Sequence, residues 1–260
     1  MSTAELLAPG AVTTVVLFAS RVGGLLLIAP VFSSRTVPMA VRTALLVLLT
    51  WLLAPVAVRA QAGAPALTPA AMLTETLVGL AIGLGAALLV GAAEAMGDLL
   101  AVNIGLSGAS VLDPLTAYSV PVLGQFTNLL ALTLLLSSDA HLLMLDALSA
   151  STRLLPVGAP LDAQAGFATM AGLGSMLFAL GLRFAAPVIA VVLLANTALA
   201  ILTRVAPQVN VLSIAFPLQI GVGLLALLAS LPLLAGFFTG WEGFYDEILG
   251  RVFGALAGGR

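Results

Sequence analysis

The sequence predicts an all-α protein of the membrane class, and three observations carry that expectation. Only 8% of the 260 residues are charged and 61% are hydrophobic, whereas soluble domains carry about 25% charged residues. The mean hydropathy of +1.20 says the same: this chain lacks the polar side chains to cover a water-facing surface. Finally, the apolar residues gather into runs near or above the ~20 residues that cross ~30 Å of hydrocarbon as a helix. Backbone groups find no partner in lipid, so such runs are helical unless buried in protein.

The runs fall at about 11–32, 41–58, 70–102, 120–149, 164–203 and 211–238. The N-terminus, MSTAELLAPG, lacks the basic n-region of a secretory signal, so the first run is expected to be retained. The third, fourth and fifth runs exceed a single crossing. The fifth is about twice that length and holds Arg183 and Pro187. Because proline removes a helical donor and kinks a helix, this run is expected to be one kinked helix or two half-crossings broken there. Six single crossings put Arg35, Arg42 and Arg204 on one side and Arg59, Arg153, Arg251 and Arg260 on the other. That gives no positive-inside bias.

Composition excludes several function classes. The chain has no Cys, and all nine of its basic residues are Arg, so disulfides, thiolate metal sites and Cys nucleophiles are absent. A net charge of −2 supplies no basic footprint for nucleic acid. No Gly-rich loop carries a Lys for phosphate. A single His and no ligand cluster with loop spacing leave no metal site to name. No nucleophile set stands out by spacing, and no cofactor is expected.

The charges inside the apolar runs are few. Glu94 and Asp98 lie i,i+4 on one face of the third run, with Glu75 nearer its start. Asp139, His141 and Asp146 punctuate LLSSDAHLLMLDALSAS, and Arg21 and Arg183 stand alone in their own stretches. Such residues are costly in lipid and face a bundle interior or a water-filled cavity. They are read as interhelical pairs and helix-end contacts, with a proton relay through His141 as the competing reading. Asp98 is expected to pair with an Arg of this chain or a neighbour, Arg21 and Arg42 being the candidates. The glycines of GLAIGLGAALLVGAAEAMG let helix backbones approach closely. Gln125 and Asn128, i,i+3 in one run, and Asn196 in another offer amides to neighbouring helices. These features describe a chain built to pack against other helices.

Between two of the most apolar stretches lies NIGLSGASVLDPLTAYSVPVLGQ, residues 103–125, with a single charge at Asp113. Connections between helices usually run ~2–8 residues, and this one is about twice that.

Several stretches carry a family resemblance. SRVGGLLLIAPVFSSRTVPMAVRTALLVLLTWLLAP, the segment from GDLLAVNIGLSGASVLDPLTAYSVPVLGQF to SSDAHLLMLDALSASTRLLP, and NTALAILTRVAPQVNVLSIAFPLQIGVGLLAL closely resemble the FliR family. These are flagellar type III export-gate proteins related to the SctT subunits of injectisomes. The likeness is colinear over about residues 11–240. Its most specific parts are Asp113-Pro114, Pro121 to Gln125, Asp139-x-His141, Leu155-Pro156, Ala206-Pro207-Gln208-x-Asn210 and Phe216-Pro217. Ala140 departs from a common Gly, but it too is small.

The resemblance implies a non-enzymatic subunit of the flagellar basal body. It implies one copy joining FliP subunits and FliQ hairpins in a channel for unfolded protein across the inner membrane, with FlhB and FlhA nearby. It implies long, tilted, kinked hairpins packed into a hetero-oligomeric helical assembly: residues 1–160 FliP-like, residues 161–260 FliQ-like. Residues 104–120 correspond to a plug loop. Ile104, Leu106, Val111, Leu112, Leu115 and Tyr118 would seal it, Gly105, Ser107 and Gly108 would flex, and Asp113 would turn the chain before Pro114. Arg21, Arg42, Glu94, Asp98, Gln125, Asn128, Asp139, His141, Arg183, Asn196, Gln208 and Asn210 are the expected structural polar residues. The alternative from another class is a proton-coupled transporter using Glu94, Asp98, Asp139 and His141.

Overall fold

The computed structural model of the protein describes residues 9–34, 37–61, 63–106, 122–205 and 211–258. Among these the regular structure is α-helical: α1 (Pro9–Ile28), α2 (Pro30–Ser33), α3 (Met39–Arg59), α4 (Pro69–Ile104), α5 (Val122–Ser137), α6 (Ala140–Leu154), α7 (Ala163–Gly172), α8 (Gly174–Val205), α9 (Val211–Thr239) and α10 (Trp241–Leu256). Among the described residues, five helical stretches are long and apolar enough to cross a membrane. The number is six if the bent pair α5 and α6 counts as one. The all-α, membrane-class expectation stands.

Helix breaks fall where local chemistry permits them. The chain bends by 65° between α5 and α6, and the hinge is Asp139, which has φ +54°. Short polar side chains tolerate this left-handed region better than bulky ones. Of the two forms expected for the fifth run, one kinked helix or two half-crossings, the break at Pro187 is not observed. Pro187 lies inside α8, exposed itself and flanked by the fully buried Ala185 and Val188, whose packing holds the helix through the lost donor. The interruption falls instead at Leu173, between Gly172 and Gly174, where two residues of low helix propensity adjoin.

The chain forms two compact units, interleaved in sequence: residues 1–88, 135–174 and 241–260 in the first, and 89–134 with 175–240 in the second. In the first unit, α1 and α4 meet backbone to backbone. A Cβ at Gly79 would strike the Arg21 carbonyl, one at Gly24 the Thr76 carbonyl, and one at Gly83 the side chain of Ile28. Gly79 and Gly83 thus form the small-xxx-small face that close helix packing requires. Helix α10, which the apolar-run criterion passed over, closes this unit. Its Trp241, Tyr245, Ile248, Leu249, Val252, Phe253 and Leu256 are buried at helical period. The Tyr245 ring lies over Gly85, and its hydroxyl donates to the Ile82 carbonyl at 2.9 Å.

The core of the second unit is assembled from the rear half of α4 with α5, α8 and α9: Met96, Leu100, Ile104, Leu123, Ala185, Val188, Val192, Leu227 and Leu234. Phe184 and Phe237 pack edge to face beside it, with centroids 5.0 Å apart.

Candidate functional site

Among its described residues the first unit holds a fully buried charge network. Arg21 and Glu75 are both 0% exposed, and Arg21 Nε donates to Glu75 Oε2 at 2.6 Å. The remaining guanidinium nitrogens donate to Ser151 Oγ and to the Leu155 carbonyl, each at 2.9 Å. Glu75 Oε1 accepts from the Gly158 backbone N–H at 2.8 Å. One ion pair therefore ties α1, α4, α6 and the turn after α6 together, and its charges are satisfied as buried charges must be. The close approach at Gly79, four residues beyond Glu75, brings the two helices near enough for the pair to form.

Asp98 is expected from the sequence to pair with an Arg of this chain or of a neighbour, and neither in-chain candidate pairs with it. Arg21 is committed to Glu75, and Arg42 Nη2 donates to the carbonyls of Ser33 and Ser34 at the end of α2, a favourable place for a cation. Within the described residues Asp98 makes no ion pair. Its carboxylate lies against Gly124 instead. Beside it, Gly97 faces Thr127 and the Leu123 carbonyl, and Asn128 Nδ2 donates to Glu94 Oε2 at 2.8 Å. Position numbers rise on α4 as they fall on α5, so the two run antiparallel. Glu94, Asp98 and Asn128 are brought together on this hairpin. Gln125 sits exposed nearby, while Arg183 is exposed and Asn196 half-buried on α8.

Asp139 and His141 are close in sequence, yet no hydrogen bond joins their side chains. The Asp139 carbonyl accepts from Leu142 N–H as α6 begins. His141 is half-buried, and its Nδ1 is buried without a hydrogen-bond partner among the described residues. Sequence reasoning did not single out Tyr245, which is buried beside Trp241. Burial, and secondarily the neighbouring Asp246 carboxylate, push its hydroxyl far above the usual phenol range.

At the end of α4 the helix stops at Gly105, φ +85°, a conformation that favours glycine. Phe216 of α9 lies against Gly105. Gln219 Nε2 donates to the Asn103 carbonyl, satisfying a carbonyl left without a helical partner, and Ile104 is fully buried against Gly223. Leu106 and Val122 line the same apolar trough of about 370 Å³, floored by Leu123, Phe126 and residues of α9. Both ends of the intervening segment thus converge on one place. Ser107, Gly108, Val111, Leu112, Asp113, Pro114, Leu115 and Tyr118 of the expected plug lie outside the described residues, as do Gln208 and Asn210.

Long apolar helices, backbone-close packing at glycines and one buried ion pair define a membrane-class helical protein whose polar residues hold helices together. The family of bacterial export proteins, family 1, matches residues 12–242. The flagellar biosynthetic protein FliR of Escherichia coli (strain K12) is 34% identical over 241 residues, covering 91% of this chain and 88% of that protein. FliR of Pectobacterium carotovorum subsp. carotovorum is 34% identical with the same coverage. FliR of Bacillus subtilis (strain 168) is 34% identical over 158 residues, covering 59% of this chain and 61% of that protein. The chain belongs to the FliR family of bacterial export proteins.

Proposed function

We propose that the protein is a structural, non-enzymatic subunit of the flagellar type III export gate in the inner membrane. One copy joins FliP and FliQ to form the channel that passes unfolded flagellar proteins, with FlhB and FlhA as further neighbours. The observation that carries this reading is the family match across nearly the whole chain, with flagellar relatives 34% identical over 88% of their own length. On this reading residues 1–160 form a FliP-like part and residues 161–260 a FliQ-like part.

The two described ends of the intervening segment support the plug reading. Residues 107–121 leave and rejoin the chain at Leu106 and Val122, which line one trough. At ~3.4 Å per residue, a segment anchored at both ends reaches about 25 Å at most before returning, which suits a plug projecting into a channel. Gln219, Phe216 and Gly223 fix the anchoring end. The test is deletion of residues 105–117 in cells whose own FliR-family subunit is absent. A leak of small ions, with FliP and FliQ still co-purifying, is expected. An unchanged ion barrier with normal export refutes the plug. Failure of the intact chain to co-purify with FliP and FliQ, or to restore export, refutes the gate itself.

A further inference from the structure

Helices α6 and α10 of the first unit flank a trough of about 560 Å³. Small side chains form part of its lining, Ala147 and Ala150 on α6 and Gly250 and Gly254 on α10, between larger ones that include Leu143, Tyr245, Leu249 and Phe253. A Cβ placed at Gly250 or Gly254 meets nothing within 4 Å, unlike one at Gly79 or Gly85, where it strikes a neighbouring element. These two glycines do not serve packing inside the chain, yet they lie i,i+4 beside a groove. Three exposed carboxylates line the same trough, Asp146 from α6 and Glu242 and Asp246 from α10, and no arginine lines it. Arg251, the basic residue of α10, is engaged by Glu247. Glu242 and Asp246 are like charges one turn apart, an arrangement that weakens a helix unless a cation neutralises it.

We propose that this trough docks a cationic amphipathic helix of a partner chain. Its apolar face would lie over the small residues, as amphipathic helices lie in hydrophobic grooves, and its Arg or Lys side chains would reach the three carboxylates. Small residues let helix axes approach to the short end of the 8–10 Å packing range. The charge complementarity fixes which helices are accepted and gives a salt-dependent on-rate. This docking stands on the first unit alone and does not depend on the gate reading.

The test uses the full chain in a non-ionic detergent and fluorescent synthetic helices of Leu with Arg, or of Leu with Glu, read by anisotropy. Two variants separate charge from shape. Asp146→Asn with Glu242→Gln and Asp246→Asn keeps the groove and removes its charge, and Gly254→Leu keeps the charge and fills the groove. The Leu/Arg helix is expected to bind the parent and each variant about tenfold or more weakly, a factor well within reach of anisotropy. Binding to the parent should weaken as salt shortens the Debye length from about 10 Å toward about 3 Å, while the charge-neutral variant loses that dependence. Equal binding by parent and both variants overturns the proposal. So does binding of the Leu/Glu helix, or self-association of the parent that Gly254→Leu abolishes, which would make the occupant a second copy of this chain. Should Gly254→Leu fail to fold, the charge-neutral variant and its salt curve decide alone.

Discussion

Replacing Glu75 with alanine is expected to destabilise the chain by about 3–5 kcal/mol, the cost of removing one partner from a buried ion pair. The geometry leaves little room for escape. Glu75 accepts from Arg21 Nε at 2.6 Å and from Gly158 N–H at 2.8 Å, so its loss orphans a charged donor and a backbone donor together. Arg21 stays held by Ser151 and Leu155 and cannot swing its charge into water. For a chain of this size 1 kcal/mol shifts Tm by about 2–4 °C, so a fall of roughly 6–20 °C follows. Trp241, 1% exposed in the same unit, reports the transition by fluorescence in detergent. The combination Arg21→Met and Glu75→Leu should recover much of the loss, because replacing both charges removes the desolvation penalty. The remaining unpaired Leu155 carbonyl and Gly158 N–H keep it below the parent. A single Glu75→Ala variant within about 2 °C of the parent refutes the reasoning, since that is worth less than 1 kcal/mol. So does a double variant no more stable than the single one.

Four further outcomes follow from named positions. Gly79→Ala, which drives a Cβ into the Arg21 carbonyl, should cost about 1–3 kcal/mol or more by overpacking. Gly236→Ala, in the interior of α9 with nothing within 4 Å, should stabilise by up to about 1 kcal/mol; thermal unfolding of the two variants checks both signs. Tyr245 has its folded-state pKa raised, so its contribution is full below the unfolded phenol value of about 10 and is lost as pH rises above it. With no Lys or Cys in the chain, the parent's Tm should fall above about pH 10, and Tyr245→Phe should show a shallower fall in the same titration. His141 Nδ1 is buried without a partner in this chain, so His141→Leu should leave the isolated protein as stable or more so while lowering yield of the assembled complex. His141→Gln should retain most export across a neutral pH series, whereas complete loss with normal complex yield would favour a titrating role.

Some long helices are legible because the apolar run is nearly as long as its element: 70–102 became Pro69–Ile104, and 211–238 became Val211–Thr239. Breaks are less legible, since they depend on what surrounds the residue. Pro187 has buried neighbours and α8 continues through it, while Asp139 bends the chain with no proline at all. The charge of Arg21 is equally visible in the sequence, but its partner is not. Glu75 and Asp98 lie on the same helix, and nothing in their own residue types says which turn faces α1. The spacing of Gly79 and Gly83 was the available signal, marking the turn where another backbone comes close. Helix α10 escapes a run-length criterion because Glu242, Asp246, Glu247 and Arg251 interrupt it. Its seven buried residues are recognisable only by their helical period.

The apolar faces left open by the fold divide by what can cover them. Helix α3 exposes Val47, Leu48, Trp51 and Leu52, and α9 exposes Leu225, Leu228 and Leu233. Contiguous patches of this kind are covered by lipid or by other helices. Only 22% of the most apolar window is buried in each, against 67% in α4, so these two helices depend most on what lies outside the chain. The α4/α5 hairpin is different, because Glu94, Asp98 and Gln125 are all exposed on it. A carboxylate at the centre of a bilayer costs about 2.5–3.5 kcal/mol on insertion scales. Two of them would together cost about 5–7 kcal/mol, comparable to the entire stability of many domains. Lipid is therefore a poor cover for this face, and water or the polar groups of another subunit a good one. A chain with greasy faces on some helices and a carboxylate stripe on another is suited to an assembly in which each face meets a different neighbour.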